Sequence, residues 1–298
     1  MGSGMSDSEK VVLCYGILAV DQIVRPEVFP EPDGHARLLI NEEFPGGEST
    51  NVAITLSCLG VSTRLMGSTL GDDGPGQWLQ SRLRDTAVDC RLNVDPAIRT
   101  TQAIILSSQD QTRSIMGFFP DLTSLPIDKE DLQDVCLMSV DPFLGLSLDA
   151  ARQAREEGIP VFSIEITEQH PLAELCQIVI LSRGFLRRHN CGDYEDVAVG
   201  LLKSGVQTVL VTQGAEGVSV FKEDGSTFHQ QAYPVQVEDT TGAGDAFRAG
   251  LIYGYLKGWT LARSVQFAAG CAAITCRHFG GGGHLRNEAE VMQLIGNA

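Results

Sequence analysis

The chain has 298 residues, 43% of them hydrophobic and 20% charged, a composition that excludes a wholly disordered protein. Its 38 acidic and 22 basic residues give a formal net charge of -16, which would repel a phosphate backbone, so we expect no nucleic-acid partner. The sequence has no run of about 18 apolar residues, no signal peptide and no C-x-x-C pair among its 8 cysteines. We therefore expect a cytoplasmic protein with no membrane partner, preceded by an expression scar at residues 1–4.

Short β-branched runs alternate with segments of helical periodicity along most of the chain. The predicted elements, in chain order, are strand Val11–Leu18, helices Ser49–Leu59, Gly76–Ala87 and Leu148–Glu157, strands Val161–Ile166 and Ile178–Leu181, helix Tyr194–Lys203, and strands Thr208–Thr212, Val218–Phe221 and Val235–Val237. The strands before and after Gly214 and Gly217 are predicted to form a hairpin. This alternation is typical of an α/β fold with a mostly parallel sheet and helices on both faces.

Two segments interrupt the alternation. Residues 22–45 contain several prolines and then alternate, and residues 98–120 are predicted as two strands joined by a turn at Gln109–Gln111. Both are too extended for the helical layers, so we predict a small second sheet that covers a site. Because no linker or repeat divides the chain, we expect one domain over residues 5–298. The edges of these strands also suggest a homodimer.

The segment Asp239–Phe247 (DTTGAGDAF) carries the strongest chemical pattern. A glycine turn that leads into a helix leaves backbone N–H groups unpaired, and with the helix dipole they form an anion site. Gly242, Ala243 and Gly244 would supply these groups, and Asp245 follows in the first helical turn. A carboxylate beside an anion suits a general base that takes a proton from an attacking hydroxyl. A plain helix cap would explain the same residues.

Five short motifs in the right order resemble the PfkB, or ribokinase-like, carbohydrate kinases. They are Gly16–Asp21 (GILAVD), Gly46–Asn51 (GGESTN), Gly71–Gly74 (GDDG), Thr212–Gly217 (TQGAEG) and Asp239–Asp245 (DTTGAGD). The resemblance implies a ribokinase-like fold, with a central mostly parallel sheet and a small β-sheet lid. It also implies an ATP-dependent phosphotransferase that acts on a hydroxyl group of a small sugar, with ATP and Mg²⁺ as cofactors and K⁺ as a possible third.

The resemblance further implies roles for individual residues. Asp245 would be the catalytic base, and the N–H groups of Gly242, Ala243 and Gly244 would hold the transferred phosphoryl group. The other implied positions are Asp21, Gly46, Gly47 and Asn51 for the acceptor, Thr212, Gly214, Gly217 and Cys271 for the nucleotide, and Asp239 and Thr241 for a monovalent cation.

The sequence departs from the family pattern after the strand Ile178–Leu181. Many members carry Asn-x-x-Glu there, which organises Mg²⁺ through water, whereas this chain has Ser182-Arg183-Gly184-Phe185. We predict that Glu165 replaces this function, with an ion pair to an Arg or Lys as the alternative. Ketohexokinase-like members also lack Asn-x-x-Glu, and their sequences resemble this chain at Thr123–Pro126 and at Gly270-Cys271. These similarities favour the ketohexokinase-like branch.

Glu48 is a second departure, since many members have Lys, Asn or another neutral residue at this place. Its carboxylate would join Asp21 at the acceptor, and Asp33 would approach from the lid unless it is a solvated turn residue. Carboxylates accept hydrogen bonds from hydroxyls and repel phosphates. We therefore predict an unphosphorylated, fructose- or ribose-like sugar, unless Arg37 and Arg113 both point inward.

Two other functions are compatible with these motifs. A nucleoside kinase of the same fold would need an aromatic wall, for which Phe118 and Phe119 are the close pair in the lid. A catalytically silent sugar- or nucleotide-binding protein is favoured by the missing Asn-x-x-Glu and opposed by the intact Asp245 and glycine loop.

Overall fold

Nearly continuous runs of apolar residues form the centre of the fold. The computed structural model describes residues 10–108, 113–119, 122–285 and 287–296. The strands in these ranges are β1 (Val11–Gly16), β2 (Ala19–Pro26), β3 (Leu38–Gly46), β4 (Ser62–Gly67), β5 (Leu70–Gly71), β6 (Asp89–Cys90), β7 (Val94–Asp95), β8 (Thr101–Ser107), β9 (Arg113–Phe118), β10 (Val135–Val140), β11 (Val161–Ile164), β12 (Ile178–Ser182), β13 (Thr208–Thr212), β14 (Val218–Lys222) and β15 (Thr227–Gln230). The helices are α1 (Glu48–Cys58), α2 (Gly74–Arg84), α3 (Ser147–Glu156), α4 (Arg183–Arg188), α5 (Tyr194–Lys203), α6 (Ala243–Leu256), α7 (Leu261–Thr275) and α8 (Glu288–Gly296).

The large sheet is parallel except at one edge. Within the described ranges its strand order is β15-β14-β13-β12-β11-β10-β1-β4-β6. Pairing is parallel from β6 to β13, and β14 runs antiparallel to both of its neighbours. The predicted hairpin is therefore confirmed, with Thr212 opposite Val218.

Two hydrophobic cores cover the two faces of this sheet. Alternate residues of a strand point to opposite faces, so Val12 and Cys14 pack with α1, α6 and α7, while Leu13 and Tyr15 pack with α3, α4 and α5. This arrangement confirms the predicted α/β fold with helices on both faces. No helix in the part of the chain that the structure covers is long and apolar enough to span a bilayer.

A second sheet, which we call the lid, consists of β3, β2, β8 and β9 in that order. The central pair β2–β8 is parallel and the two outer pairs are antiparallel. Its inner face buries Ile23, Ala103 and Ile105 against Phe44 and Phe279. A further short parallel pair, β5–β7, lies apart from both sheets.

Arg25 of β2 attaches the lid to the body of the protein. Its guanidinium lies 4.6 Å from the ring centroid of Phe279 and donates a hydrogen bond to the Glu238 carbonyl. A further hydrogen bond, to Ser107 Oγ of β8, lies within the lid itself. The predicted turn at Gln109–Gln111 lies outside the described residues.

Several predicted elements differ from the observed ones. The strand Val11–Leu18 is interrupted after Gly16, because the chain there leaves the large sheet and enters lid strand β2. The segment Val235–Val237 was wrongly predicted as a strand. It is followed by Glu238, whose N–H bonds to the Cys276 carbonyl at the end of α7 rather than to a neighbouring strand. The central strands β4 and β10 were not identified from the sequence.

Helices α6 and α7 approach closely because glycines of α6 face α7. A Cβ at Gly250 would lie 2.7 Å from Ala268 Cα. We expect Gly250→Ala to lower the free energy of unfolding by about 1–3 kcal/mol, because the helices must separate to admit the methyl group. Urea denaturation measures this loss. The control is Gly74→Ala in α2, where an added Cβ meets no described atom within 4 Å; equal losses in the two variants would contradict the packing argument.

Candidate active site

Polar and glycine residues collect at the carboxyl edge of the large sheet. Because parallel strands end on the same side, this edge is where α/β proteins of open-sheet type bind ligands. Five residues mark this edge. Gly16, Ser182 and Thr212 are the last residues of β1, β12 and β13, and Asp141 and Glu165 directly follow β10 and β11.

Helix α6 begins at this edge with backbone amides that lack hydrogen-bond partners among the described residues. Gly242 precedes it with φ 71°, a left-handed conformation that favours glycine, and a Cβ there would lie 2.1 Å from Gly281 Cα. Within the described residues, the N–H groups of Gly242 and Gly244 make no hydrogen bond, and that of Ala243 contacts the Thr240 carbonyl at 3.4 Å. The helix start can therefore hold an anion.

Asp245 lies in the first turn of α6 and is oriented by α1. Asn51 Nδ2 donates a hydrogen bond to Asp245 Oδ2 at 2.9 Å. Burial raises the pKa of Asp245 to about 6, while the Asn51 hydrogen bond and the charges of Arg248 and Arg113 act to lower it. A carboxylate with this pKa is mostly ionised at neutral pH and can accept a proton in a reaction.

Two further carboxyl groups lie near Asp245. Asp21 is on β2, and Gly46 leaves room for it, since a Cβ at Gly46 would be 2.2 Å from the Asp21 carboxyl carbon. Burial, together with smaller contributions from nearby negative charges that include Asp245, raises the pKa of Asp21 to about 7 and that of Glu48 to about 8. In the described part of the chain neither group forms a hydrogen bond with another residue, so both can accept hydrogen bonds from a ligand's hydroxyls.

The glycine run Gly280–Gly283 lies inside this site. A Cβ at Gly281 would be 2.3 Å from Asn51 Nδ2, and the Gly280 N–H donates to Asp239 Oδ2 at 3.3 Å. Gly47 is equally confined, because at φ 90° its Cβ would meet the Ile17 carbonyl at 2.1 Å. Small residues therefore bring the N-terminus of α1, the loop before α6 and this run into contact.

The loop Thr212–Gly217 follows β13 at the same edge. Thr212 Oγ1 donates to the Leu181 carbonyl at 3.2 Å, and the Gln213 N–H donates to the Gly217 carbonyl at 2.8 Å. Arg183, the first residue of α4, forms an ion pair with Glu216 and bonds to Gln213 Oε1 at 2.9 Å. The Thr-Gln-Gly-Ala-Glu-Gly motif is thus held by a residue that the sequence analysis did not assign.

The predicted metal positions have the following contacts. Glu165 Oε1 accepts from the Ser182 N–H at 2.8 Å, and its Oε2 lies 3.7 Å from Arg188, the ion pair that was the alternative for this residue. Asp239 accepts hydrogen bonds from the Thr241 N–H and hydroxyl and from the Gly280 N–H. No group of three or more His, Cys, Asp or Glu suited to a metal occurs among the residues that the structure describes.

Several sequence predictions are not supported at this site. Cys271 is fully buried in α7, and its Sγ lies 2.8 Å from where a Gly250 Cβ would be, so its thiol packs between α6 and α7. Asp33 is exposed in the turn before β3, as in the solvated alternative. Arg37 is exposed, whereas Arg113 lies close enough to Asp21 and Asp245 to lower their pKa values.

A buried ion pair beneath the site was missed. Arg248 Nη1 donates to Asp141 Oδ1 at 2.7 Å, with 1% and 0% of the two side chains exposed. The available signal was a charged residue in the otherwise apolar stretch Ala246–Ile252, since a fully buried Arg requires a partner.

Known proteins share both the sequence pattern and the fold. Maize fructokinase-1 is 27% identical over 99% of this chain and 100% of its own length. The structure of Arabidopsis thaliana ribokinase with ribose and ATP aligns with a TM-score of 0.81 at 22% identity, over 96% of this chain and 98% of that one. An E. coli protein solved with ATP and Mg²⁺ aligns with a TM-score of 0.79 at 24% identity, over 97% and 99% of the two chains. Residues 9–287 match the pfkB family carbohydrate kinases, and the chain belongs to that family.

Proposed function

We propose that this protein transfers the γ-phosphoryl group of ATP to a hydroxyl of a small, unphosphorylated sugar. The observation that carries the proposal is the pairing of Asp245, oriented by Asn51, with the unpaired amides of Gly242 and Gly244 at the start of α6. The Arabidopsis ribokinase bound to ribose and ATP and the E. coli protein bound to ATP and Mg²⁺ have the same fold, which supports these substrates.

In this mechanism, the acceptor lies between the lid and α1. Asp21 and Glu48 accept hydrogen bonds from its hydroxyls, and Gly46, Gly47 and Asn51 shape the pocket. Asp245 takes the proton of the attacking hydroxyl, and the amides at the start of α6 stabilise the negative charge on the transferred group. Positioning and electrostatics supply most of the rate enhancement.

The nucleotide would lie along Thr212, Gly214 and Gly217. Mg²⁺ is bound in such enzymes mainly by phosphates and water, with few protein ligands. The donor set fits this pattern, because one carboxylate, Glu165, stands beside Ser182 where the expected Asn is missing. Glu165 would hold the metal ion through water, and the ion would neutralise phosphate charge when bound. Potassium binding at Asp239 and Thr241, and placement in the ketohexokinase-like branch, stay predictions.

The general-base assignment can be tested by Asp245→Asn. We expect kcat to fall about 10²–10⁴-fold with little change in KM for ATP, because the variant keeps the shape of the site and loses the proton acceptor. In the unmodified protein kcat should fall as pH drops through about 6, where Asp245 becomes protonated. Coupled ADP release measures both. Asp85→Asn, at an exposed carboxylate after α2, is the control; an unaltered kcat in Asp245→Asn would remove Asp245 from this role.

The charge of the acceptor pocket predicts the choice of substrate. At a pH above about 8, we expect fructose or ribose to be used with a kcat/KM at least about tenfold above that of their phosphate esters, because Asp21 and Glu48 are both ionised there and two carboxylates repel a phosphate. Glu48→Gln should narrow this difference, and Glu43→Gln, on exposed β3, should not. ADP release over a panel of free and phosphorylated sugars checks this, and a preference for the esters would contradict it.

One observation favours a nucleoside as a second candidate acceptor. The Phe119 ring lies 2.0 Å from the position of a Gly117 Cβ, and Gly117 pairs with Ala103, whose side chain points to the inner face of the lid. With 54% of its surface exposed, this ring is available to stack on a base. Adenosine in the same panel distinguishes the two acceptors, and ADP release with none of them would favour a silent binding protein.

The outer face of the lid suits a second copy of the chain. Residues that alternate away from the inner face include Leu39, Ile104, Met116 and Phe118, each 40–51% exposed. Exposed apolar side chains on one face of a sheet are a common feature of dimer interfaces. We expect Ile104→Lys to convert a dimer into a 32.1 kDa monomer in light scattering. Ile115→Lys, on the opposite face of β9, is the matched control; an unmodified protein that is already monomeric would contradict the dimer.

A further inference from the structure

Arg248 is the largest side chain that the described part of the chain buries completely. Its Nε donates to Ser139 Oγ at 2.6 Å and its Nη1 to Asp141 Oδ1 at 2.7 Å. Both partners belong to the carboxyl end of β10 and the residue after it. Because isolated buried charges are very costly, Arg248 and Asp141 have to occur together.

Asp141 also reaches the acceptor side of the site. Its second oxygen, Oδ2, accepts hydrogen bonds from the Ser49 N–H at 3.1 Å and from Ser49 Oγ at 2.7 Å, in the first turn of α1. Gly16 provides the space for this contact, since a Cβ there would lie 1.8 Å from Asp141 Oδ2. One carboxylate therefore joins α1, β10 and α6.

The two helices that carry the site are consequently connected twice. Asp245 and Arg248 are three residues apart and lie on one face of α6, and Ser49 and Asn51 lie in the first turn of α1. The first connection is the Asn51–Asp245 hydrogen bond, and the second runs from Ser49 through Asp141 to Arg248. Beyond the packing of α6 against α7, these two connections hold the first turns of α6 in one orientation relative to α1.

We propose that Arg248 and Asp141 are positioning residues, which together hold the general base Asp245 in register with the acceptor helix α1. This inference rests on the proposed kinase function and extends it to two residues that touch neither substrate in that mechanism. On this inference, the Arg248–Asp141 ion pair contributes to catalysis by positioning Asp245, in addition to stabilising the fold.

The same pair contributes opposite charges to the surroundings of Asp245. The charged groups that influence it or are influenced by it are Asp21 on β2, Glu48 on α1, Arg113 on β9, Asp141 after β10, Glu165 after β11 and Arg248 on α6. Arg248 lowers the pKa of Asp245 and Asp141 raises it. Removing Arg248 alone should therefore raise the pKa of Asp245, and removing Asp141 alone should lower it.

The test is the pH dependence of kcat, whose acid limb reports protonation of the base in the enzyme–substrate complex. Arg248→Gln should shift this limb upward by about one pH unit and Asp141→Asn should shift it downward by a similar amount. Arg248→Lys, which keeps the charge, should leave the limb in place. The control is Arg91→Gln, which removes one partner of the exposed ion pair with Asp89 and should change nothing.

The double variant Asp141→Asn/Arg248→Gln removes both charges and serves if a single variant does not fold. We expect its acid limb to return close to the original position, because the two charges removed are opposite in sign. Its kcat should fall about tenfold with KM for ATP unchanged, because the orientation of Asp245 is lost. Lower melting temperatures with unmoved limbs in the single variants, or full kcat in the double variant, would overturn the inference. Absence of ADP release from the unmodified protein would instead overturn the proposed function itself.

Discussion

Asn51 and Asp245 lie near opposite ends of the chain, and the 2.9 Å hydrogen bond between them is the contact on which the site depends. It can form only if α1 and α6 begin at the same edge of the sheet. Glycines permit that approach, since a side chain at Gly242 or Gly281 would overlap the opposing loop or Asn51 itself. The helix start that offers unpaired amides is therefore also the place where a carboxylate from the same helix is held against the acceptor side.

Acidic groups are concentrated at this site, although protein interiors generally exclude charged side chains. Asp21, Glu48 and Asp245 all have raised pKa values, with burial as the largest cause, and each is also affected by at least one other acidic group. The arrangement costs folding free energy, because carboxylates are removed from water near one another. Such perturbed groups are characteristic of functional sites. The buried cation of Arg248 offsets part of the repulsion from below the site.

The lid has different chemistry on its two faces. Toward the body it presents Asp21, Ile23 and Arg25, and Arg25 attaches it to Phe279 and to the residue that precedes the Asp239 loop. Toward the outside it presents several exposed apolar side chains, among them Ile104 and Met116. Successive side chains of a strand point to opposite faces of the sheet. Neighbouring residues of one lid strand can therefore serve the site on one face and the proposed interface on the other.

The α/β class, the extended character of the lid segments and the family could all be predicted from the sequence, because they depend on local periodicity and on the order of short motifs along the chain. The sequence also identified Asp245 and Asn51 as separate candidates. It did not determine that Arg248 pairs with Asp141 or Arg183 with Glu216, and it placed Cys271 at the nucleotide although the thiol is enclosed between helices. The packing of elements that are distant in sequence decides which residues pair and where a side chain points. Neither can be predicted from the local sequence.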